Sequence, residues 1–535
     1  MIRRLEDVVT DQADRRPEAL AVGMRDVRLT YAAVETASNR LAHALRAAGV
    51  RRGDRVALCL RKSPGAVVAI LATLKAGAVY VPLDTASPVR RLARMLRLAA
   101  PRCVLAEAAV ASVASDALAG LEGDFSVAVG WLDGPPPTWR VDRAKGDFTP
   151  ADVATRADAP VGRDGATGDP AYILFTSGST GIPKGVVITH ANVLHFIDWA
   201  AKYFGLGPTD RASGHAPLHF DLSVLDIFGT LAAGGQLHMI PSDLAPAPDA
   251  LPRFIREAAL TQWFSVPSAL SYLVAFDAVR PHDFPSLERL MWCGDVLPTP
   301  VLRRLMALLP HVTFTNLYGP TETTVASSFY TVSARPADDA AVIPIGTPCD
   351  GEELRVLDRA GQPAADGEIG ELHIGGVGLG AGYWRDPETT AAAFTTGADG
   401  VRLYRTGDLA RRGADGLVYF VGRADTQIKS RGYRIELGEI EAALHQLPGV
   451  RESAIVAIDT GGFEGATICC AYAPVDGALS PVTLRRALAG LLPAYMLPAR
   501  WQRLDALPKN ANGKIDRPAI RAAFVAAGRG EGDAA

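Results

Sequence analysis

Residues 172–190 read YILFTSGSTGIPKGVVITH, and few chain arrangements can accommodate them. An apolar run at 172–175 has strand character and opens into a loop of Ser, Thr and Gly. Lys184 follows, and then a second β-branched run at 186–189. Two strands joined by a glycine-rich loop are the expected result. Gly178, Gly181 and Gly185 let the backbone approach a bulky anion, and Thr176, Ser177, Ser179 and Thr180 offer hydroxyl donors. With the point charge of Lys184, such a loop suits a polyphosphate. It is not a Walker A loop, which needs Gly directly before the Lys and Ser or Thr directly after it. Here Pro183 and Gly185 hold those places.

The 535 residues are too many for one ordinary domain. Hydrophobic residues make up 48% and charged residues 21%, the profile of a globular protein in water. A formal charge of −3 gives no electrostatic reason to expect nucleic acid. The six cysteines are scattered without a CxxC pair, so neither a disulfide framework nor a zinc site is expected, and a reducing cytoplasm fits. The N-terminal segment places Ile2, Leu5, Val8 and Val9 on one helical face and lacks a signal-peptide core. The longest apolar run, 66–74, is too short to span a bilayer, so no membrane partner is expected.

From 29 to 84 the pattern alternates. Val34, Ala37, Leu41, Leu45 and Ala48 recur at helical spacing and Gly49 stops that helix. A strand at 55–60, a helix at 64–74 and a strand at 79–83 form a βαβ unit, which implies a parallel sheet. The same grammar returns between 192 and 320, with strands at 236–240 and 290–293. The segment 130–169, rich in Pro, Gly and Asp, reads as a long loop. After Ile343 come short strands punctuated by glycine, at 353–357, 370–374 and 417–421. The tail alternates helix (436–447), strand (453–458) and helix (484–492).

At this point the motifs become specific. They are LKAGAVYVPLD (74–84), the loop above, NLYGPTE (316–322), GELHIGGVGLGAGY (370–383), YRTGDL (404–409), GRADTQIKSRGYRIELGEIE (422–441) and NGKIDR (512–517). In this order they resemble the amino-acid adenylation enzymes of the acyl-adenylate-forming superfamily, close to the adenylation domains of nonribosomal peptide synthetases. The resemblance runs from Leu29 to Arg517. It implies an α/β fold: a large N-terminal domain (1–424) of two parallel-sheet αβ subdomains with a small β-barrel-like subdomain, then a small mobile α+β C-terminal domain (425–535).

The implied chemistry joins a carboxylate to the α-phosphorus of ATP, releases pyrophosphate, and then passes the acyl group to a thiol. Phosphoryl transfer is mostly positioning and charge stabilisation, so cations, hydroxyls and a metal are needed. By motif match Thr176, Ser177, Gly178, Ser179, Thr180, Gly181 and Lys184 would cradle phosphate. Glu322 would hold Mg²⁺, a hard cation that takes carboxylate and phosphate oxygens. Thr321 would donate to the α-phosphate, Tyr318 would stack on adenine, and Asn316 would bond its edge. Gly294, Asp295, Leu317, Gly319 and Phe420 would complete the nucleotide site. Asp408 would accept from both ribose hydroxyls, and Arg423 would reach the ribose or phosphate. Lys514 would bridge the reacting carboxylate and phosphate, so the catalytic set is Lys514, Thr176, Lys184 and Glu322. Asp425 sits where the family has its hinge. Ordinary turn readings exist for Asp408 and for Asn512–Gly513.

The run HFDLSVLDIFGTL (219–231) matches the segment that meets the substrate. Asp221 stands where amino-acid-activating members pair a carboxylate with the substrate ammonium. Members that activate plain carboxylic acids generally lack it, because an unpaired buried carboxylate is costly. Asp226 is a nearby alternative off the motif position. The carried-over wall is Leu222, Leu225, Phe264, Met291, Cys293, Leu317, Val325 and Ala326, with Lys514 at its edge. It is apolar throughout, so a small or medium apolar amino acid is expected, alanine-sized first. Nothing near Cys293 supplies a base, so it is expected as wall rather than nucleophile. CGDVLP (293–298) also resembles D-alanine–carrier-protein ligases, and an acyl-CoA or fatty-acyl-AMP ligase is a further alternative. The 18 residues after Arg517 hold no carrier domain, so the expected partner is a separate carrier protein with a phosphopantetheine arm.

Overall fold

The sequence 170–189 forms the hairpin its pattern demands. Strands Pro170–Thr176 and Lys184–Thr189 pair antiparallel, with Thr176 opposite Lys184 at the loop end. The structure is a computed structural model that describes residues 4–121, 126–134, 144–162, 165–178, 181–244, 249–459, 465–475, 479–510 and 514–529. Ile2, Ser179, Thr180, Asn512 and Gly513 lie outside the described residues.

The hairpin joins an eight-stranded sheet through Val79–Pro82, which pairs parallel with Arg55–Cys59. Helix Pro64–Lys75 crosses between these two strands, with Ser63 accepting from the Ala66 N–H as its cap and Pro64 in the first turn. This helix is buried on nearly every face, as a helix packed between layers must be. A second sheet of nine strands carries Gln236–Met239, Arg211–Gly214, Gln262–Ser265, Arg289–Trp292 and Thr313–Tyr318 as parallel neighbours. One apolar cluster, including Tyr31, Ile70, Tyr172 and Phe228, is shared by both sheets.

The glycine-punctuated region forms an antiparallel five-stranded sheet of Glu352–Leu357, Gly370–Gly376, Arg402–Arg412, Phe394–Thr396 and Val418–Arg423. Beyond it lie a hairpin, Gln427–Ser430 with Tyr433–Glu436, then helix Leu437–His445 and a three-stranded sheet flanked by helices. Among the described residues no helix is long and apolar enough to cross a membrane. All six cysteines are free and buried.

The expectation of a long loop over 130–169 needs correction. Val127–Trp131 is a buried strand that includes Gly130, and Ala144–Phe148 adds a parallel strand at the sheet edge. Packing overrides local propensity here. A Cβ at Gly130 would stand 2.2 Å from the Phe148 ring, so the glycine makes room for the added strand's aromatic anchor.

The tail folds back onto the large unit through polar contacts that are nearly dry. Arg91, on helix Val89–Ala99, pairs with Glu439 on helix Leu437–His445, and the side chains are 8% and 3% exposed. Removing one member strands the other's charge, typically at about 3–5 kcal/mol. Glu439→Gln is therefore expected to loosen the tail, seen as faster limited proteolysis near residues 424–426. A paired apolar replacement, Arg91→Met with Glu439→Leu, should restore resistance. Equal proteolysis of the single variant and the parent would remove this pair as a docking contact.

Candidate functional site

Parallel strands leave their carboxyl ends open, and ligand sites form there in α/β sheets. Strand Arg289–Trp292 delivers Cys293 and Gly294 to this edge, and Thr313–Tyr318 delivers Gly319 through Glu322. The hairpin 170–189 brings Thr176 and Ser177 to the same place, and all except Cys293 and Glu322 line one central cleft of about 110 Å³. Gly178 keeps the loop tight. A Cβ there would fall 2.0 Å from the Ile182 carbonyl oxygen, and the Gly178 carbonyl accepts from the Gly181 N–H at 2.9 Å. The Thr176 hydroxyl is buried with no hydrogen-bond partner among the described residues, so it is left available to a ligand.

Glu322 is 0% exposed. Its Oε1 accepts from the Tyr383 hydroxyl at 2.8 Å, and Arg434 Nη1 donates to both oxygens at 3.0 and 2.8 Å. Burial alone would raise this carboxyl, but Arg434, the Tyr383 hydroxyl and Lys184 together hold it below its ordinary value. Lys184 itself lies 5.2 Å from the Tyr383 ring centroid. An ionised, dry carboxylate results.

On one side the cleft meets a cavity of about 670 Å³ lined by Gly294, Asp295, Asn316, Leu317, Tyr318 and Phe420, together with Arg423 and Lys429. Asn316 Nδ2 donates to the Pro344 carbonyl at 2.9 Å. Asp408, 2% exposed, accepts from the Tyr318 hydroxyl at 2.5 Å and from Arg423 Nη1 at 2.6 Å. The same Arg423 grips Asp425 at 3.0 and 2.6 Å. Asp425 is thus tied to the large unit through one arginine, and it caps the Gln427 N–H at 3.0 Å.

Asp221 precedes the short helix Leu222–Val224, which continues into a π-helical turn, Leu225–Gly229. Burial pushes its carboxyl up to about 6, and nearby Glu322 pushes the same way. The Thr321 hydroxyl and, more weakly, Lys429 work against that rise. The π turn sends Asp226 elsewhere: it accepts from the Ala216 N–H at 3.3 Å and faces Lys62. Of the two candidate acids, only Asp221 lines the cleft. Leu222, Leu225, Phe264, Met291, Cys293, Leu317, Val325 and Ala326 all belong to the large apolar core that both sheets share, and of these Leu222 lines the cleft with Asp221. Burial pushes the Cys293 thiol up to about 12, and its Sγ donates to the Val325 carbonyl. Thr324 and Val325 sit at φ of 62° and 69°, strain that a β-branched residue tolerates only where the surroundings enforce it.

The structure does not bring Lys514 to this place. Lys514 is exposed and its N–H donates to Asn510 Oδ1 at 3.1 Å, outside all the described cavities. The tail instead presents its 427–434 hairpin. Ser177 donates to the Arg434 carbonyl at 2.6 Å, and Lys429 lies 5.3 Å from the Tyr318 ring centroid. Sequence reasoning missed Arg434, Lys429 and Tyr383 as site residues. The signal was their place inside motifs already recognised, but their partners are distant in sequence.

The sequence model described as AMP-binding enzyme matches residues 9–384, and that described as AMP-binding enzyme C-terminal domain matches 439–514. The chain is 38% identical over 91% of its length to an L-proline–[L-prolyl-carrier protein] ligase of Streptomyces coelicolor, covering 91% of that protein. It is 37% identical to the same-named ligase of Pseudomonas fluorescens, covering 95% of this chain and 96% of that one. It is 36% identical to a dimodular nonribosomal peptide synthase of Bacillus subtilis, of which it spans only 21%. Among solved structures it is similar to the Vibrio cholerae adenylation domain AlmE in complex with glycyl-adenosine-5'-phosphate, with TM-score 0.83, 26% identity and 98% of each chain covered.

The charge on Asp221 has a testable consequence for stability. A carboxyl raised from about 3.9 to about 6 favours the folded state most below pH 4, and that contribution is lost as pH rises through 6. At about 1.4 kcal/mol per unit, the loss is of the order of 2–3 kcal/mol. Asp221→Asn should therefore gain thermal stability relative to the ligand-free parent between pH 5 and 7.5. A gap that stays constant over this range would contradict the buried-charge assignment.

Proposed function

Because the chain belongs to the AMP-binding enzyme family and is an ATP-dependent adenylating ligase, we propose that its cleft activates L-proline, or a comparably sized apolar amino acid, and loads it onto a separate carrier protein. The observation that carries this reading is Asp221. A dry carboxylate facing a cleft, poorly neutralised by its neighbours, is a receptor for one ammonium. The residues carried over as its wall bear no charge for a substrate side chain, which suits the methylenes of a pyrrolidine ring whose nitrogen is held by Asp221. Two free-standing relatives of matched length are named for L-proline, which supports that size over alanine.

In this reading the substrate carboxylate lies near the phosphate loop, with its ammonium on Asp221 and the adenine in the 670 Å³ cavity beside Tyr318. Asp408 would take the ribose hydroxyls, and Thr176, Lys184 and Thr321 the phosphates. Glu322 fits Mg²⁺: it is ionised and oxygen-donating, and the remaining ligands would be phosphate oxygens and water. When bound, that ion would neutralise charge on the phosphates. Arg434 donates to both oxygens of the carboxylate that would hold the ion, so the arrangement with Arg434 on Glu322 suits the step after pyrophosphate leaves. Adenylation would then require the tail, 425–535, to turn about Asp425, withdrawing Arg434 and bringing Lys514 to the cleft.

The test is ATP–pyrophosphate exchange over L-proline, L-alanine, D-alanine, glycine and cyclopentanecarboxylate. L-Proline should give the highest kcat/KM and the des-amino ring none, and Asp221→Ala should abolish exchange. Exchange supported equally by cyclopentanecarboxylate would overturn the amine contact. The KM for L-proline should rise as pH falls through about 6, where Asp221 takes up a proton. Lys514→Ala should lower exchange by at least about 100-fold, the scale of losing one preorganised charge contact. It should leave transfer from preformed aminoacyl-AMP within about threefold of the parent, and equal loss of both steps would contradict the turning tail.

A further inference from the structure

A second cavity, of about 750 Å³, lies on the other side of the cleft and shares no lining residue with the nucleotide-side cavity. The partition between it and the cleft consists of His219, Phe220, Leu222 and Tyr433, each of which lines both spaces. Phe220 and Tyr433 meet edge to face at 5.0 Å. His219 is the titratable imidazole in that partition. Its Nε2 is buried with no hydrogen-bond partner among the described residues. A polar ring atom left unsatisfied at a cavity wall calls for a ligand to explain it.

Resting on the reading that a carrier thiol is the second substrate, we propose that His219 is the base that accepts the thiol proton during acyl transfer, with Asp84 stabilising the imidazolium that forms. Asp84 ends the motif 74–84, which the adenylation chemistry leaves unused, and it lines the same cavity as His219. Its carboxylate is held in place by the Ala86 N–H at 3.1 Å and the Ser87 hydroxyl at 3.0 Å. Burial lowers the pKa of His219 and Asp84 opposes that fall. A neutral imidazole beside an anion results, as a base requires.

The other groups facing this space do not suit the role. His215 also lines the cavity, but burial and the adjacent Lys62 push it down to about 3, so its imidazolium is opposed rather than stabilised. Lys62 spends its donors on the Gly214 and His215 carbonyls at 2.9 and 2.8 Å. Arg61 is paired with Glu107, and Arg431 cannot release a proton. Burial raises the Tyr433 phenol, which leaves it a poor acceptor. Asp221 is reserved for the ammonium.

The step balances within the bound reactants. As the S–H bond breaks, Nε2 takes the proton and the sulfur electron pair forms the C–S bond to the acyl carbon. The acyl carbon–oxygen bond to phosphate breaks, and its electrons leave on AMP. The imidazolium then returns its proton to water through the cavity. A thiol of ordinary pKa, about 8.5, is only a few per cent ionised at pH 7, so a base of this kind contributes about 10²–10⁴-fold.

The experiment is single-turnover transfer from aminoacyl-AMP already formed on the full-length enzyme to D-pantetheine, between pH 5.5 and 9. The parent rate should level off above an inflection below 6.5. His219→Gln should be slower by at least about 100-fold at pH 7, with a rate that climbs about tenfold per pH unit toward 8.5. Asp84→Asn should move the parent inflection to lower pH, because the opposing anion is gone. A His219→Gln rate within about threefold of the parent with an unchanged profile would overturn the proposal, as would an unmoved inflection in Asp84→Asn. If the parent forms aminoacyl-AMP yet transfers nothing to pantetheine, the carrier-thiol reading itself fails, a result distinct from a variant-specific loss.

Discussion

Two carboxylates, Asp221 and Glu322, are buried close enough for each to feel the other, and everything at the site follows from how their charges are met. Coulomb repulsion in a dry setting is strong, so both cannot remain anionic without cations. Glu322 has Arg434, Lys184 and a tyrosine hydroxyl, and it stays ionised. Burial, with a smaller push from Glu322, raises the Asp221 carboxyl, and a threonine hydroxyl and the weaker influence of Lys429 do not offset it. In the proposed reading, this asymmetry makes one acid a fixture and the other a receptor. In that reading an ammonium would supply what Asp221 lacks, and the carried-over leucine, phenylalanine, methionine and valine side chains would meet the rest of the substrate.

The cation on Glu322 comes from the tail, so the electrostatics of the cleft and the seating of the tail are one problem. Arg434 sits on the large unit's carboxylate, its carbonyl takes the Ser177 hydroxyl, and Glu439 meets Arg91. With the tail seated this way the central cleft lies between two cavities, one beside Tyr318 and the other behind His219, Phe220, Leu222 and Tyr433. A reaction in two steps, with nucleotide needed first and thiol second, suits an arrangement in which the tail can trade one set of contacts for another. Lys514, exposed and remote from the cleft, is the group such an exchange would bring in.

Much of this was legible in the chain. The hairpin 170–189 and the βαβ unit at 55–83 appear where apolar runs and glycines place them, because their partners are near in sequence and their periodicity is clean. The strand Ala144–Phe148 was hidden, since AKGDF has little strand propensity and is held by pairing and by Phe148 packing over Gly130. The motif position set Asp221 ahead of Asp226, and the structure lines the cleft with Asp221 while Asp226 lies in a π turn that no residue pattern announces. Arg434 stood in a recognised motif and was still missed. Its partner is 112 residues away, on another unit, and local spacing carries no trace of such a pairing.

The central claim, that a protonatable acid waits for an ammonium, is tested most directly by calorimetry of L-proline binding at pH 6, with the nonreactive ATP analogue α,β-methylene-ATP present, in two buffers of different ionisation enthalpy. If Asp221 is half protonated when empty and ionised when paired, binding should release about half a proton, and Asp221→Asn should release none. Binding of equal strength to parent and variant, with no proton released by either, would contradict the account.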